Sequence, residues 1–576
     1  MNGCKFIDIF NKLKKSSSDS IDNVQSFDDF RKYMHVIRAT ETDLKSILKD
    51  VNSTDKKTLI LLCGSAGDGK SHLLSYLKNS DSDSLLDNYK VFNDATESNA
   101  PDKTAVETLS DRLADFNDEN IGKPGLNAII AINLGVLSNF IESDYAHNFS
   151  ELKAYVKKSN ILTSEVNVST YVENSHFQHI SFSDYHMFSL NKEGVNLEYI
   201  EALFEKIVSA DDGNIFYSSY ATDCNSCPLC SQCPIRMNYK FLTNPQVRHY
   251  ISLMLVKVIL KDKEILTTRE LLNYIYDIVV APTFDYNNFY NTSTTPDSFL
   301  KEYLKCITPS LLFDNVDIST IMNKTRKYDP LLNRNEQEDD TAIEYYVSED
   351  ISDTLISIID NSPYSTILCD TAYINIFNED KAIKSKLFNI LIRIRDLMNV
   401  TGYDQMFTNY ISDLYNYNIG KTPKLSNLYS DVEKAVTCWC GSEDDDNICI
   451  DDSHKSFLIY ESIKFDPYLD NVPPQTNTEE LQKFLPFIVA EFQYENNSPI
   501  HLDIDYSLYE LIKKLNSGYV QTAEDRNNHA DFISFISKIL KTGSSDESIT
   551  ILSETGQKAV LEKTKFGTYK FKVVKK

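Results

Sequence analysis

The sequence predicts an α/β protein built on a parallel sheet, and three observations lead there. Between residues 57 and 190, short apolar runs alternate with helix-like stretches, the βαβα rhythm that places helices on both faces of parallel strands. The runs Thr58–Cys63 and Ala128–Ile132 are almost wholly apolar, as in strands that see no water on either face. A glycine-rich loop joins the first of these strands to a helix.

Taken in order, residues 1–56 read as a helical region. Ser26 is placed to cap a helix from Phe27, with Asp29 in its first turn. Tyr33, Met34, Ile37, Leu44, Ile47 and Leu48 then recur at helical spacing. Residues 57–285 form the predicted nucleotide-binding domain. Its strands are Thr58–Cys63, Tyr89–Phe92, Ala128–Ile132 and Phe177–Phe182, with helices His72–Leu77 and Thr104–Phe116 between them. Residues 191–285 read as helical around a cysteine cluster, and Thr267 with Glu270 forms a capping box. Residues 286–425 read as a helical middle region and 426–576 as an α+β domain. The acidic stretch 442–447 and residues 470–480 read as surface connections.

A chain of 576 residues exceeds what one compact core supports. The net charge of −26 argues against a surface that grips nucleic acid throughout, because phosphate contacts need clustered Lys and Arg. The most basic stretch is 563–576, where Tyr569, Phe571 and Val573 alternate with Thr568, Lys570 and Lys572. This is the pattern of a strand with one apolar and one basic face, either an edge protected by lysines or a ridge for DNA phosphates. The N-terminus lacks the apolar core of a secretory signal, and no apolar run is long enough to span a bilayer. A cytoplasmic protein without a membrane partner is expected, with its eleven cysteines mostly reduced.

Gly64-Ser65-Ala66-Gly67-Asp68-Gly69-Lys70-Ser71 is a GxxxxGK[ST] motif between strand and helix, followed by His72. This predicts a P-loop (Walker A) that binds ATP with Mg2+. Backbone N–H groups wrap the phosphates, the helix N-terminus adds positive charge, Lys70 reaches the outer phosphates and Ser71 ligates magnesium. The third strand ends in Asn133 rather than a carboxylate. The acidic partner is therefore sought at other strand ends: Asp94 and Glu97 first, then Asp184, with Asn133 as a γ-phosphate sensor. Arg269 is placed to reach the nucleotide from a helical lid, ahead of Arg248 and Arg236.

Cys224-x2-Cys227-x2-Cys230-x2-Cys233-Pro234 packs four thiols into ten residues, a metal-binding signal. Zn2+ is the first expectation. An iron–sulfur cluster is the alternative, since the run falls one residue short of the bacterial ferredoxin spacing. Cys4, Cys63, Cys306 and Cys369 read as packing thiols, and Cys438 with Cys440 as a weak pair.

Several segments together resemble the DptF family of DNA phosphorothioation-dependent restriction proteins. These are FDDFRKYMHVIRATETDLKSIL, LLCGSAGDGKSHLLSYLK, NDATES, AINLGVLSNFIES, CPLCSQCPIRMNY and LTTRELLNYIYDIVV, spread over residues 27–285. The resemblance implies a P-loop ATPase subunit that works with other restriction-complex subunits against DNA lacking a sulfur mark. It implies DNA contact through the complex and extends to site residues only at Gly64–Ser71. The alternative is an AAA-like or STAND-like signalling NTPase that controls assembly without touching DNA; a third possibility is a metal-stabilised scaffold with structural nucleotide. No nuclease signature is visible, so cleavage is expected from a partner.

Overall fold

A strand flanked by strands and covered on both faces must be apolar at every position, and the centre of the sheet meets that condition. In the computed structural model, β1 (Leu59–Cys63), β2 (Tyr89–Phe92), β3 (Asn127–Ile132) and β4 (Phe177–Ser181) form an all-parallel sheet in the order β2-β3-β1-β4. β1 pairs with β3 from Leu59↔Ala128 to Cys63↔Ile132, and with β4 from Leu59↔Phe177 to Cys63↔Ser181. The described residues are 4–18, 29–80, 84–95, 103–163, 171–282, 284–285, 289, 295–314, 318–332, 336–399, 404–441, 448–451, 456–461, 465–493, 498–542, 548–564 and 566–574. The Ser26 cap, Glu97 and the acidic stretch 442–447 therefore lie outside them.

Helices α1 (Lys5–Ser18), α2 (Asp29–Tyr33) and α3 (Ala39–Asn52) precede the sheet. α4 (Lys70–Ser80), α5 (Ala105–Arg112), α6 (Leu134–Glu142) and α7 (Ser150–Lys158) connect its strands. Strand alternation sorts the core into two layers. Leu59, Leu61, Cys63, Ala128, Ile130 and Ile132 face Leu109, Leu137, Phe140 and Leu152 of α5, α6 and α7. Ile60, Leu62, Ile129 and Ala131 face Leu44, Ile47 and Leu48 of α3 and Leu73, Leu74 and Leu77 of α4. The helix predicted over 104–116 is shorter: Thr104 caps α5 in a capping box with Glu107, and Ala114–Phe116 is a separate 3-10 turn.

After β4 the chain forms a hairpin, β5 (Tyr185–Asn191) and β6 (Gly194–Asn196), which begins before the stretch expected to be helical and runs into it. The Asn191 carboxamide accepts the N–H of Glu193 and of Gly194 at 2.9 Å each, a local turn that competes with helix. Then come α8 (Glu198–Val208), α9 (Ile215–Ser219), a π-helical turn over Tyr220–Cys224, α10 (Pro234–Leu242), α11 (Pro245–Asp262) and α12 (Thr268–Val279). The capping box of Thr267 with Glu270 forms as the sequence predicts.

Two compact units divide the chain. One comprises Met1–Ser189, Asn196–Ile259 and Lys263–Tyr403; the other comprises Leu190–Val195, Leu260–Asp262 and Asp404–Lys576. Within the first, buried Asn238 ties the helices together. Its Nδ2 donates to Val279 O and Cys306 O at 2.8 Å each, and its Oδ1 accepts from Thr308 N and Tyr364 Oη at 2.9 Å each. Such a satisfied buried amide fixes register where apolar packing alone would permit slippage.

The second unit mixes helices with antiparallel sheets. Its five-stranded sheet runs in the order Tyr569–Val574, Lys558–Lys563, Ser548–Ser553, Phe457–Glu461, Ile448–Asp451. The basic C-terminal stretch is thus an edge strand, with Tyr569, Phe571 and Val573 more than half exposed. Lys572 Nζ lies 2.7 Å from Glu562 Oε2, and Lys570 stands opposite Glu562 in the ladder. Among the described residues no helix is long and apolar enough to cross a membrane.

Candidate functional site

The loop between β1 and α4 takes a course that only glycine permits. Gly67 and Gly69 have φ of +92° and +96°. A Cβ on Gly64 would stand 2.6 Å from Asp68 Oδ2 and 2.9 Å from Phe182 Cβ. One on Gly67 would meet Thr267 Oγ1 at 3.1 Å and Arg269 Cβ at 3.4 Å, and one on Gly69 would lie 3.9 Å from Thr268 Oγ1. The N-terminus of α12 is therefore seated against the loop, and Arg269 comes with it.

Inside the loop, Asp68 Oδ2 accepts from Ser65 N and Lys70 Nζ donates to Ser65 O, both at 2.5 Å. Arg38 Nη1 donates to Asp68 O at 3.2 Å. Burial pushes the Asp68 carboxyl upward against the opposing charge of Lys70. Burial lowers the Lys70 ammonium, while Asp68, Cys63 and Asp94 work to keep it charged. Lys70 and Asp94 are thus within electrostatic reach of each other.

The end of β2 comes to the same place. Ser71 Oγ donates to Asn93 O at 3.2 Å, and Ala95 N donates back to Ala131 O on β3 at 3.0 Å. Asn93 Oδ1 is buried without a partner among the described residues. A buried acceptor left unpaired is costly, which marks it as a group awaiting a ligand or water. Asp94 is exposed, and its carbonyl accepts from Arg112.

Comparison with protein-family models finds no match for this chain. No curated protein matches it either.

The remaining expected site residues have distinct positions. Asn133 caps α6, its Oδ1 accepting from Gly135 N at 2.9 Å. Asp184 ends the 3-10 turn after β4, where its charge reaches Cys63 and Tyr185. Arg248 is engaged elsewhere, with Leu242 O, Thr243 O and Glu205. Arg236 lies in the cysteine segment, donating to Cys230 O and Asn225 Oδ1.

His72 joins a histidine pair behind the loop. Its Nε2 lies 3.1 Å from His35 Nδ1, and His35 Nε2 lies 2.9 Å from Glu41 Oε2. The His35 ring stacks on Tyr76 with centroids 3.5 Å apart. Burial lowers the His72 pKa to about 4, with further lowering from His35 and Arg31. Burial alone would raise the Glu41 carboxyl, but hydrogen bonds from His35 and Lys45 outweigh it and hold it below its usual range.

The cysteine run adopts consecutive turns, with Cys227 N donating to Cys224 O at 3.2 Å and Cys230 N to Cys227 O at 3.1 Å. Cys233 caps α10, with Pro234 in the first turn. Among the described residues no three His, Cys, Asp or Glu side chains converge to hold a metal ion as they stand. Arg38, Asn93 and His35 escaped the sequence reading. All three fall in segments that carry the family resemblance, but none belongs to the glycine-rich motif, and only the position of Asn93 at a strand end marked it as a site candidate.

Proposed function

We propose that Gly64–Ser71 is a P-loop binding ATP with Mg2+, and that the chain is the ATPase subunit of a DNA restriction assembly. The observation behind the nucleotide reading is the contact of Ser71 Oγ with the Asn93 carbonyl. It brings the hydroxyl expected to hold magnesium to the strand end that bears Asp94, while Lys70 stands within electrostatic reach of that carboxylate.

The residues suit such a ligand. Positive-φ glycines leave a backbone cradle free of Cβ atoms, and the α4 N-terminus favours an anion there. Phosphate oxygens would take the loop N–H groups and the Lys70 ammonium, which otherwise rests on Ser65 O. Ser71 would hold magnesium directly. Asp94 would hold it through water, and the free acceptor of Asn93 would orient a water beside it. Bound ATP supplies a phosphoanhydride whose cleavage can drive a change of state. Arg269 and the α12 N-terminus, seated on Gly67, would report the outer phosphates to the helical part of the unit.

The restriction assignment rests on the resemblance to the DptF family. It carries partner subunits and DNA lacking the sulfur mark; the cytoplasmic setting and cleavage by a partner rest instead on a sequence without secretory, membrane-spanning or nuclease signatures. Zn2+ at the cysteine segment, with an iron–sulfur cluster as the alternative, rests separately on the spacing of Cys224, Cys227, Cys230 and Cys233. The docking of α12 on the loop also suits the second reading, an AAA-like or STAND-like switch. ATP turnover by the chain with its partners, with and without unmarked DNA, separates the two. Stimulation by unmarked DNA is expected; oligomerisation by ATP alone, indifferent to DNA, would give the switch reading.

A further inference from the structure

Strand Tyr569–Val574 pairs with Lys558–Lys563 and stands at the end of its sheet, so its outer edge is open. Successive side chains point to opposite faces, and those that share a face recur about 6.8 Å apart. Tyr569, Phe571 and Val573 share one face and are 53%, 58% and 59% exposed. The register sets Lys563 opposite Tyr569, Leu561 opposite Phe571 and Ala559 opposite Val573. Phe571 and Val573 therefore continue an apolar row, and Lys563 is the one charged group of the two strands on that face. Phe566, in the turn that Thr564 N closes by donating to Thr568 O at 2.7 Å, is 93% exposed. Rings gathered like this at the surface, with a polar rim, mark a contact site.

Charge says what the site takes. Residues 563–576 hold six lysines and no acidic residue, in a chain of net charge −26. Positive charge concentrated beside the exposed rings calls for an anionic occupant. Two-fold pairing with a second copy would set one lysine row against another, which is how edge lysines prevent such pairing. Duplex DNA offers phosphates but keeps its base faces stacked inside. A single strand offers phosphates and open base faces together, the combination that aromatic side chains beside cationic ones recognise.

We propose that this hairpin binds single-stranded DNA, with bases stacked on Tyr569 and Phe571 and phosphates along the open edge near Lys563 and Lys570. Lys570 projects from the opposite face, and its long stem lets the ammonium reach the edge. Lys572 lies 2.7 Å from Glu562 on that opposite face, in an exposed ion pair that a phosphate exchanges with little loss. The choice of DNA over RNA rests on the restriction reading; the stacking and the charge do not. DNA contact then belongs to this chain itself, as well as to the complex.

The test measures binding of a labelled oligodeoxythymidylate to the full-length protein, beside a duplex of equal length, an oligouridylate and phosphatidylserine vesicles. Wild type should prefer the single strand to the duplex. Tyr569→Ala with Phe571→Ala should weaken binding about ten-fold or more, the loss expected when two stacked bases lose their platform. It should leave the salt dependence unchanged, because the rings carry no charge. Tyr569→Phe with Phe571→Tyr keeps both rings and should bind as wild type does. Lys563→Glu with Lys570→Glu should instead flatten the salt dependence. The substituted side chains are exposed, so these variants should melt with wild type; should the double alanine variant melt early, Phe571→Ala alone makes the same comparison. Equal affinity of wild type and the ring-less variant overturns the proposal, as does a duplex bound as tightly as the single strand. Binding to vesicles or RNA without binding to DNA overturns it too. Failure here leaves the restriction reading standing if unmarked DNA still stimulates ATP turnover by the chain with its partners.

Discussion

The glycine loop and the cysteine cluster are both announced by short motifs, yet they are assembled in opposite ways. The loop is nearly self-sufficient: its glycines, Asp68, Lys70 and Ser65 satisfy one another within eight residues, and distant groups only dock on it. The cysteine run has a regular spacing, but among the described residues its thiols do not converge into a group that holds a metal ion as they stand. Spacing along a chain fixes backbone-lined sites well, because the backbone itself is the ligand. It fixes side-chain-lined sites poorly, because any thiol in the fold can be recruited.

Substitutions that act on the backbone should therefore damage the loop most. Gly67→Val places a branched side chain at φ +92° and against Thr267 Oγ1 and Arg269 Cβ. Strain of this kind costs about 1–3 kcal/mol, and nucleotide binding should be lost with it. Thermal unfolding and ATP titration read both effects. A variant that melts and binds like wild type would show that the loop is not held in this conformation.

Asp94→Asn separates binding from chemistry. It should leave ATP affinity within a few-fold of wild type and lower turnover by roughly ten-fold or more, since a neutral amide positions magnesium and water less well. Asn93→Ala should give a smaller loss of turnover. Unchanged turnover in Asp94→Asn, with Asp184→Asn inactive, would move the carboxylate to the opposite edge of the sheet.

How much of this was legible depends on the range of the interactions involved. The parallel strands were readable because Leu59–Cys63 and Asn127–Ile132 are buried on both faces and so carry no polar alternation. The order β2-β3-β1-β4 was not, because nothing in four apolar strands says which neighbour each will take. It is this order that puts the Asn133 end between the Ser71 and Asp94 strands. Asn133 also shows the limit of strand-end reasoning, since its side chain caps the helix that follows. The hairpin over Tyr185–Asn196 was hidden by its small turn.

The histidine pair behind the loop gives a smaller, pH-dependent effect. The unfolded chain protonates His72 near its ordinary value of about 6.5, but the folded protein resists until about 4. Its contribution is thus complete above pH 6.5, is lost as pH falls through that window, and is flat below it, amounting to about 3 kcal/mol at most. His35, Glu41, Lys45, Arg31 and Tyr76 surround the pair, so the informative quantity is the difference between wild type and His72→Gln. That difference in urea midpoint should change between pH 6.5 and 4; a constant difference would mean that His72 titrates normally.

The C-terminal edge strand should matter least. Glu562 already faces both Lys570 and Lys572. Lys570→Glu with Lys572→Glu should leave ATP binding intact and weaken DNA-stimulated activity of the assembled complex by a few-fold, more at low salt than at high. Unchanged DNA affinity and unchanged salt dependence would make the strand a protected edge and nothing more.

The most direct measurement is equilibrium binding of ATP with magnesium to the purified wild-type chain and to Lys70→Ala. Lys70 contributes charge at the loop rather than core packing, so the variant should fold as wild type does, with the same melting temperature. Wild type should bind saturably, and Lys70→Ala should bind at least about ten-fold more weakly, the loss expected when a charge-assisted contact to phosphate is removed. Equal affinity in the two proteins, or no binding by a folded wild type, would contradict the assignment of Gly64–Ser71 as a nucleotide site.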